Sequence, residues 1–390
     1  ELGCTRSLDY VLGADHVRGA ARLRVFLAVD HARHGSEVHD PVATRDRLRD
    51  VLGAEVRAVL AAAEDDVAIG IPFRRDDTRA AVFAGGLVIL ASFLVTGGAA
   101  NSGWTSYPPL ADFATAGQTI WLLGMFLVIV SSMFGSINII TTIVQLRAPG
   151  LTWFRLPFFV WAQLITAFLL LLAFPPLQGA AILQLADRVL GTSFFLPSGL
   201  VVSGQVVNRA GGGNPLLWQH LFWFLAHPEV YVLILPAMGI VAEIIANNTR
   251  KPLWGYRLMV YAACFLGFMS FLVWAHHMYL TGMGTVLNVF FQTTTMIISI
   301  PSVVVITALL LSLYGGSIRF NTPMLFALAF LPMFGIGGLT GLPLGLAASD
   351  IPLHDTYYVI GHFHYVVAPG SIFALFAGVY YWYPKVTGRM

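Results

Sequence analysis

The chain has 390 residues, of which 57% are hydrophobic and only 11% are charged. Soluble globular domains carry about 25% charged residues, so this composition excludes an ordinary soluble domain and favours a membrane protein. The formal net charge of +2 says little because the charges are unevenly distributed, and we expect no nucleic-acid partner. Two cysteines cannot form a disulfide framework.

Residues 1–79 differ in composition from the rest of the chain. They are rich in Arg, Asp, Ala and Val, and they contain no run of about 20 apolar residues that could cross a bilayer. We interpret this polar segment either as a small soluble helical extension or as a chimeric or frameshifted sequence. Its start lacks the basic region and apolar core of a secretory signal. Residues 80–390 form the second part of the chain.

Apolar runs recur from residue 80 onward, separated by short polar breaks. A membrane-spanning helix needs about 20 such residues, and membrane helices tolerate the Pro and Gly found in several runs. The pattern predicts an all-α fold, a polytopic membrane helix bundle with about eight transmembrane helices. The predicted spans are 82–100, 118–145, 152–180, 218–246, 256–282, 288–314, 323–347 and 356–383.

Basic residues cluster in alternate loops between these spans. Loops two helices apart lie on the same face of the membrane, and cytoplasmic loops carry an excess of Lys and Arg. The loop charges therefore predict that this face is the cytoplasmic one or its equivalent. We expect an integral multi-pass protein, located in a bacterial plasma membrane. The residues that mark this face are Arg147, Arg155, Arg250, Lys251, Arg257 and Arg319.

Every histidine after residue 200 lies in or at the end of a predicted span. Apart from His220, they form three groups. Ionisable side chains are costly inside a membrane and mark ion pathways, proton relays or cofactors, so the clustering favours cofactor binding over structural packing. The groups are His227-Pro-Glu229-Val-Tyr231, Trp274-Ala-His276-His277-Met-Tyr279 and His354-Asp355-Thr-Tyr-Tyr-Val-Ile-Gly-His362-Phe-His364.

The third group predicts a helix between two cofactors. Positions two apart on an α-helix diverge by about 200°, so His362 and His364 cannot bind one ion together. Imidazole is a common axial ligand of haem iron. The His-x-His spacing therefore favours two haems on opposite sides of one helix.

The first two groups predict a metal site. His276 and His277 are adjacent near the end of a span, and His227 from another helix offers a third imidazole. Three imidazoles suit copper, zinc or iron, and ligand type alone does not choose among them. Tyr231 is four residues after His227 and shares its helix face, whereas Glu229 points to another face as a buried carboxylate suited to donating a proton.

These residues resemble subunit I of the haem-copper oxidases, of the cytochrome c oxidase type. The resemblance covers about residues 84–390 in family order, so that the eight spans match the third to tenth of the family's twelve helices. The matching strings are Gly103-Trp-Thr-Ser-Tyr-Pro-Pro109, Gly212-Gly-Asn-Pro-Leu-Leu-Trp-Gln-His-Leu-Phe-Trp-Phe224, His227–Tyr231, Trp274–His277, Gly337-Gly-Leu-Thr-Gly341 and His354–Tyr365.

The resemblance implies a role for each matching residue. His227, His276 and His277 would bind copper, with Tyr231 cross-linked to His227. His362 would bind a high-spin haem and His364 a low-spin haem. His354 and Asp355 would hold magnesium or manganese, with Asp350 close by. Glu229 would end the main proton channel. Further matching positions are Ser131, Ser132 and Asn138 in that channel, and Trp104 and Tyr107 near the haems.

Several family features have no counterpart in the matching residues. The second helix, which carries the other ligand of the low-spin haem, is not matched, and His16, His31, His34 and His39 lie in polar sequence unlike it. The first, eleventh and twelfth helices are not matched either. Val305 stands where the family has a channel lysine, and residues 196–209 are an insertion.

The resemblance implies a terminal oxidase subunit that reduces O2 to water and translocates protons. Its implied partners are subunit II with a copper centre, subunit III, cytochrome c and membrane lipid. A quinol oxidase and a non-functional truncated or chimeric fragment are the alternatives. A nitric oxide reductase is disfavoured because those relatives lack the tyrosine at Tyr231.

With Val305 in place of the lysine, another proton route is needed. Thr295, Ser299 and Ser302 share one helix face. Glu243 follows Tyr231 by twelve residues, about 18 Å along the same helix. We therefore hypothesise a route from Glu243 past Ser299 and Ser302 to Tyr231. The alternative is a solvated Glu243 and hydroxyls bonded to their own helix.

Overall fold

The computed structural model describes residues 75–208 and 211–389. The expectations for most of segment 1–79, including its four histidines, lie outside the described residues. Residues 75–147 and 151–381 form one compact unit, while 148–150 and 382–389 group with a second unit.

The described residues form helices almost throughout. The α-helices are α1 Arg75–Ala91, α2 Leu110–Phe113, α3 Ala116–Gln145, α4 Phe158–Val189, α5 Pro215–Thr249, α6 Tyr256–Ser270, α7 Thr285–Leu313, α8 Thr322–Leu344, α9 Ala347–Leu353, α10 Tyr357–Val366 and α11 Ala368–Thr387. Short 3-10 helices cover Ser92–Leu94, Trp153–Arg155 and Trp274–Thr281, and two strands cover β1 Val201–Val202 and β2 Gln205–Val206. The predicted all-α fold is confirmed.

Seven helical stretches in the described chain are long and apolar enough to cross a membrane. They are α3, α4, α5, α6 with the Trp274–Thr281 segment, α7, α8, and α10 with α11. The first predicted span, 82–100, is instead a shorter apolar helix over Thr78–Leu94. It ends at Leu94, because Val95 adopts an extended backbone at φ −91° and ψ 156°, and Gly97 and Gly98 follow with positive φ angles. Helix α1 also crosses the predicted boundary between residues 79 and 80.

The loops predicted to share one membrane face do lie together. Asn321 Nδ2 donates to Asn248 Oδ1 over 2.8 Å, joining the start of α8 to the end of α5. The Lys251 ammonium donates to the Tyr314 carbonyl, and the Tyr256 hydroxyl donates to the Leu156 carbonyl. These bonds connect the loops that follow α3, α5 and α7. The prediction of a shared face is therefore confirmed for these three loops.

The predicted insertion forms a small β-hairpin whose base is closed by hydrogen bonds. Val201 pairs with Val206, and Val202 pairs with Gln205. Below the hairpin, Asp187 is fully buried and its carboxylate accepts bonds from the backbone N–H groups of Phe194 and Phe195 over 2.8 and 2.9 Å. A second set of bonds then leads into α5: Gly213 N donates to Leu196 O and Asn214 N to Phe194 O, both over 3.2 Å.

Helices α8 and α10 approach each other closely at a glycine. In lipid, helix association depends on close packing of small residues, because lipid tails are as apolar as side chains. A Cβ added at Gly337 would lie 2.6 Å from Val366 Cγ2 and 2.8 Å from the Val366 backbone nitrogen. The neighbouring Gly338 has open space around its Cα. The spacing of α8 and α10 therefore requires a glycine at 337.

Substitutions at Gly337 and Gly338 distinguish the effect of close packing on stability from the effect of helix propensity. Gly337→Ala should destabilise the protein by about 1–3 kcal/mol, the usual cost of overpacking. Gly338→Ala should be neutral or stabilising, because Ala is about 1 kcal/mol better than Gly in a helix. Thermal unfolding in detergent measures both variants, and equal midpoints for the two would contradict the close approach.

Candidate functional site

The three predicted copper ligands converge. His227 lies on α5, and His276 and His277 lie on the Trp274–Thr281 segment. His227 Nδ1 is 3.2 Å from His277 Nε2, and one ligand atom from each of the three imidazoles lies within 4.8 Å of the others. The His276 ring centroid is 4.5 Å from that of His227 and 4.3 Å from that of His277. No other group of three or more His, Cys, Asp or Glu converges in this way in the described part of the chain.

The hydrogen bond of His276 leaves this imidazole fit to bind a metal. Thr295 Oγ1 donates its one proton to the Phe291 carbonyl over 2.6 Å. Its 3.0 Å bond to His276 Nδ1 must therefore take its proton from the imidazole, so Nε2 of His276 keeps a lone pair. His227 Nε2 is buried with no hydrogen-bond partner, which is costly unless a ligand occupies the site. Such a set of imidazoles fits copper.

Aromatic rings enclose the cluster. The Trp223 ring stacks on His277 with a centroid distance of 3.9 Å, and its Nε1 donates to the Tyr107 hydroxyl over 2.6 Å. Trp104 packs edge-on against Trp223 at 5.7 Å. The loop that bears Trp104 and Tyr107 is held by buried polar bonds, because Gln118 Nε2 donates to Ser106 Oγ over 3.0 Å. Sequence reasoning gave Trp223 no individual role. Its position one turn before His227 on α5 is the signal that could have placed it beside the histidines.

Tyr231 and Glu229 have different surroundings. The Tyr231 ring lies 5.1 Å from the His227 ring, as the i, i+4 spacing predicts. Glu229 lies on another face, but its side chain is exposed at the surface of the described chain. Its role as a proton donor stays a prediction.

The predicted haem ligands point in opposite directions. His362 is half-buried, and its Nδ1 is 2.8 Å from the Gly337 carbonyl of α8. His364 is exposed, and its Nδ1 is 2.8 Å from the Ile360 carbonyl. A carbonyl only accepts, so each Nδ1 carries the proton and each Nε2 keeps a lone pair, as an axial haem ligand requires. A Cβ at Gly341 would lie 2.6 Å from His362 Cε1, so this glycine leaves room for the imidazole.

The residues predicted to bind magnesium or manganese lie near one another. His354 pairs with Asp350, and Asp355 lies slightly farther from the imidazole. His354 Nδ1 lies 3.4 Å from Asp350 Oδ2, and its Nε2 lies 3.7 Å from Asp355 Oδ1. Asp350 is buried, whereas Asp355 is exposed. The bond to Asp350 raises the pKa of His354, although partial burial opposes it. A raised pKa means that this pair stabilises the fold at acidic pH and that the stabilisation is lost as pH rises through that pKa.

The remaining predicted residues are not brought together into one site. Ser131 Oγ donates to the Thr78 carbonyl over 2.7 Å, Ser132 bonds within its own helix, and Asn138 is half-buried. Val305 is fully buried.

Glu243, the proposed entrance of the proton route, bonds to the backbone of a neighbouring helix. Glu243 is half-buried, and its Oε1 accepts a bond from the Phe159 backbone over 3.4 Å, at the start of α4. A carboxylate is favourable at a helix N-terminus. The hydroxyls of Ser299 and Ser302 donate to carbonyls of their own helix, Met296 over 2.6 Å and Ile298 over 3.5 Å. Glu243 is thus bonded to the start of α4 and not simply solvated. The hydroxyls of Ser299 and Ser302 bond to their own helix, which is the alternative to a proton route.

Together, the fold and the site define a polytopic membrane protein with three converging histidines that could hold a metal ion and a helix that bears two further imidazoles. The family model described as "Cytochrome C and Quinol oxidase polypeptide I" matches residues 71–390. The chain therefore belongs to the cytochrome c and quinol oxidase polypeptide I family, and it is an integral multi-pass membrane protein.

Bacterial relatives support this assignment. The chain is 46% identical over 310 residues to cytochrome c oxidase subunit 1 of Bacillus sp. strain PS3, covering 79% of this chain and 48% of that protein. It is 47% identical over 309 residues to the alternative cytochrome c oxidase subunit 1 of Bradyrhizobium diazoefficiens, covering 78% and 52%. The Synechocystis cytochrome c oxidase subunit 1 is 46% identical over 307 residues, covering 78% and 53%. The chain thus spans about half the length of these curated relatives.

The hydroxyl of Thr295 is expected to matter for copper binding. Thr295→Val keeps the side-chain shape but removes the acceptor for His276 Nδ1, and loss of such a partner costs about 10–100-fold in metal affinity. Thr294→Val is the matched control, because the Thr294 hydroxyl bonds only carbonyls of its own helix. Copper content and resistance to a chelator measure the effect, with His276→Ala as the reference for copper loss. Equal copper retention in both threonine variants would show that the bond is not needed.

Proposed function

We propose that this chain forms the catalytic core of a terminal respiratory oxidase that reduces O2 to water with electrons from cytochrome c and translocates protons. The observation that supports this most directly is the convergence of His227, His276 and His277 within 4.8 Å. His362 lies beside α8, with its Nδ1 2.8 Å from the Gly337 carbonyl. Its lone pair on Nε2 suits a haem iron next to the copper.

Each cofactor has candidate ligands in the chain. His227, His276 and His277 would hold copper, His362 the high-spin haem and His364 the low-spin haem. Bound copper and haem iron supply the reversible electron transfer that O2 reduction needs. His354 and Asp355 would hold magnesium or manganese, with Asp350 orienting the imidazole. The carboxylate oxygens of Asp355 suit such hard cations.

The protein groups around the metal site would manage protons and exclude water. The Tyr231 phenol, 5.1 Å from the His227 ring between centroids, would hold a proton where reduction of O2 consumes one. Trp223 covers His277 and limits access of water to that face. Glu229 would deliver protons from the channel lined by Ser131, Ser132 and Asn138.

The partners follow from the family rather than from contacts in this chain. An oxidase complex would include subunit II with its copper centre and subunit III, set in membrane lipid. The relatives named above as cytochrome c oxidase subunits favour cytochrome c as donor. A quinol oxidase is the other member of the family description.

The donor and the tyrosine can be tested in the assembled enzyme. Membranes that contain the protein should oxidise reduced cytochrome c faster than a quinol. Tyr231→Phe should abolish most oxygen reduction while copper content and the haem spectrum stay unchanged, because only the phenolic proton is removed. Preferential quinol oxidation would replace the proposed donor, and full turnover by Tyr231→Phe would remove this residue from the chemistry.

A second experiment tests the route from Glu243 past Ser299 and Ser302 to Tyr231. Glu243→Gln keeps an oxygen for the Phe159 N–H, so the capping contact with α4 survives while the acid is lost. We expect Glu243→Gln to slow reduction of the high-spin haem by about 100-fold, the lower end of the effect of a proton-transfer group. Ser302→Ala should slow the same step, because it removes a hydroxyl from the route. Thr293→Val is the control, since its hydroxyl is exposed and bonds only its own helix. Unchanged rates in both variants would eliminate this route and leave the channel through Glu229 to deliver the protons.

A further inference from the structure

His220 is a half-buried membrane histidine outside the metal and haem sites. Its Nδ1 lies 3.2 Å from Nε1 of Trp274, the first residue of the Trp274–Thr281 segment. An indole N–H can only donate. His220 Nδ1 therefore accepts, and its lone pair points at the segment that bears His276 and His277.

This bond belongs to a series of contacts along one face of α5. His220, Trp223 and His227 are spaced i, i+3 and i+7, which places them on the same helix face over about 10.5 Å. Trp223 stacks on His277, and His227 Nδ1 lies 3.2 Å from His277 Nε2. One face of α5 thus bears a metal ligand and also holds the segment that supplies the other two.

The Trp274–Thr281 segment depends on such side-chain contacts for its position. It is a 3-10 helix of eight residues with a non-helical residue inside, Met278, at φ −127° and ψ 17°. Runs of 3-10 helix longer than three or four residues are uncommon because their hydrogen bonds are poorer. At its far end, the Tyr279 hydroxyl donates to the Gly345 carbonyl over 2.9 Å. At its near end, the bond to His220 is the corresponding anchor.

Packing alone does not fix the Trp274 indole in its plane. Phe224 and Phe291 contact it edge-on, with ring centroids at 5.3 and 5.0 Å. Such contacts tolerate small rotations of the ring, whereas a hydrogen bond from Nε1 fixes which edge faces α5.

We propose that His220 is a positioning residue for the metal centre. By accepting the hydrogen bond from Trp274 Nε1–H, it sets the position of the Trp274–Thr281 segment against α5. That position in turn sets the distance of His276 and His277 from His227. The inference rests on the proposed function in one respect, which is that the three imidazoles hold copper.

The test uses the protein in its native membrane complex and follows the rate at which a chelator removes copper. His220→Phe keeps a ring but removes the acceptor, and copper release should become roughly tenfold faster, at the lower end of the effect of an outer partner on metal affinity. His220→Asn is the conservative variant, because Asn Oδ1 can take the place of imidazole Nδ1, and it should restore slow release. Trp274→Phe removes the donor and should speed release by a similar factor.

The double variant decides whether the two residues act through one bond. If they do, His220→Phe should have no further effect in the Trp274→Phe background, and the thermal unfolding midpoint should not follow copper release. Independent effects, or wild-type retention of copper in His220→Phe, would overturn the inference. If His220→Phe does not assemble, His220→Asn and Trp274→Phe still decide it, since fast release in Trp274→Phe and slow release in His220→Asn are both required. A wild-type protein without copper would instead contradict the proposed function.

Discussion

An imidazole that binds a metal needs a lone pair on one nitrogen, so its other nitrogen must carry a proton and find an acceptor in a low-dielectric interior. This constraint organises the site. The Nδ1–H of His276 donates a hydrogen bond to Thr295, that of His362 to the Gly337 carbonyl and that of His364 to the Ile360 carbonyl. Each acceptor belongs to a helix, so helix packing and ligand chemistry are coupled. A shift of α8 against α10 would disturb His362 directly.

The hydrogen bond of His220 runs in the opposite direction. Its Nδ1 accepts a hydrogen bond instead of donating one, because its partner is an indole that can only donate. The direction of each hydrogen bond therefore separates histidines that present a lone pair to a metal from one that presents it to the protein. Position along the chain alone does not make this distinction, since His220 and His227 share one face of α5.

The larger features of the protein could be predicted from sequence because they depend on local patterns. Apolar runs located α3 to α8, and the adjacent His276 and His277 indicated a shared ligand site. Other features depend on what lies across from a residue. The exposure of Glu229 follows from which helices cover α5, and the role of Thr295 follows from its approach to His276, although it was noted only as part of a polar stripe. The early end of the first helix reflects the extended backbone at Val95 and the turn at Gly97 and Gly98, which the apolar character of the run does not reveal.

The loop that bears the hairpin at Val201–Val206 is closed by hydrogen bonds from residues outside its two strands. Asp187 holds the chain where it enters, and the bonds from Gly213 and Asn214 hold it where it leaves for α5. The start of α5 is therefore held by bonds that do not involve the strands of the hairpin. Loop closure entropy grows only slowly with length. This loop is accordingly a place where the family can gain or lose residues, or accept a grafted peptide, without changing the metal centre.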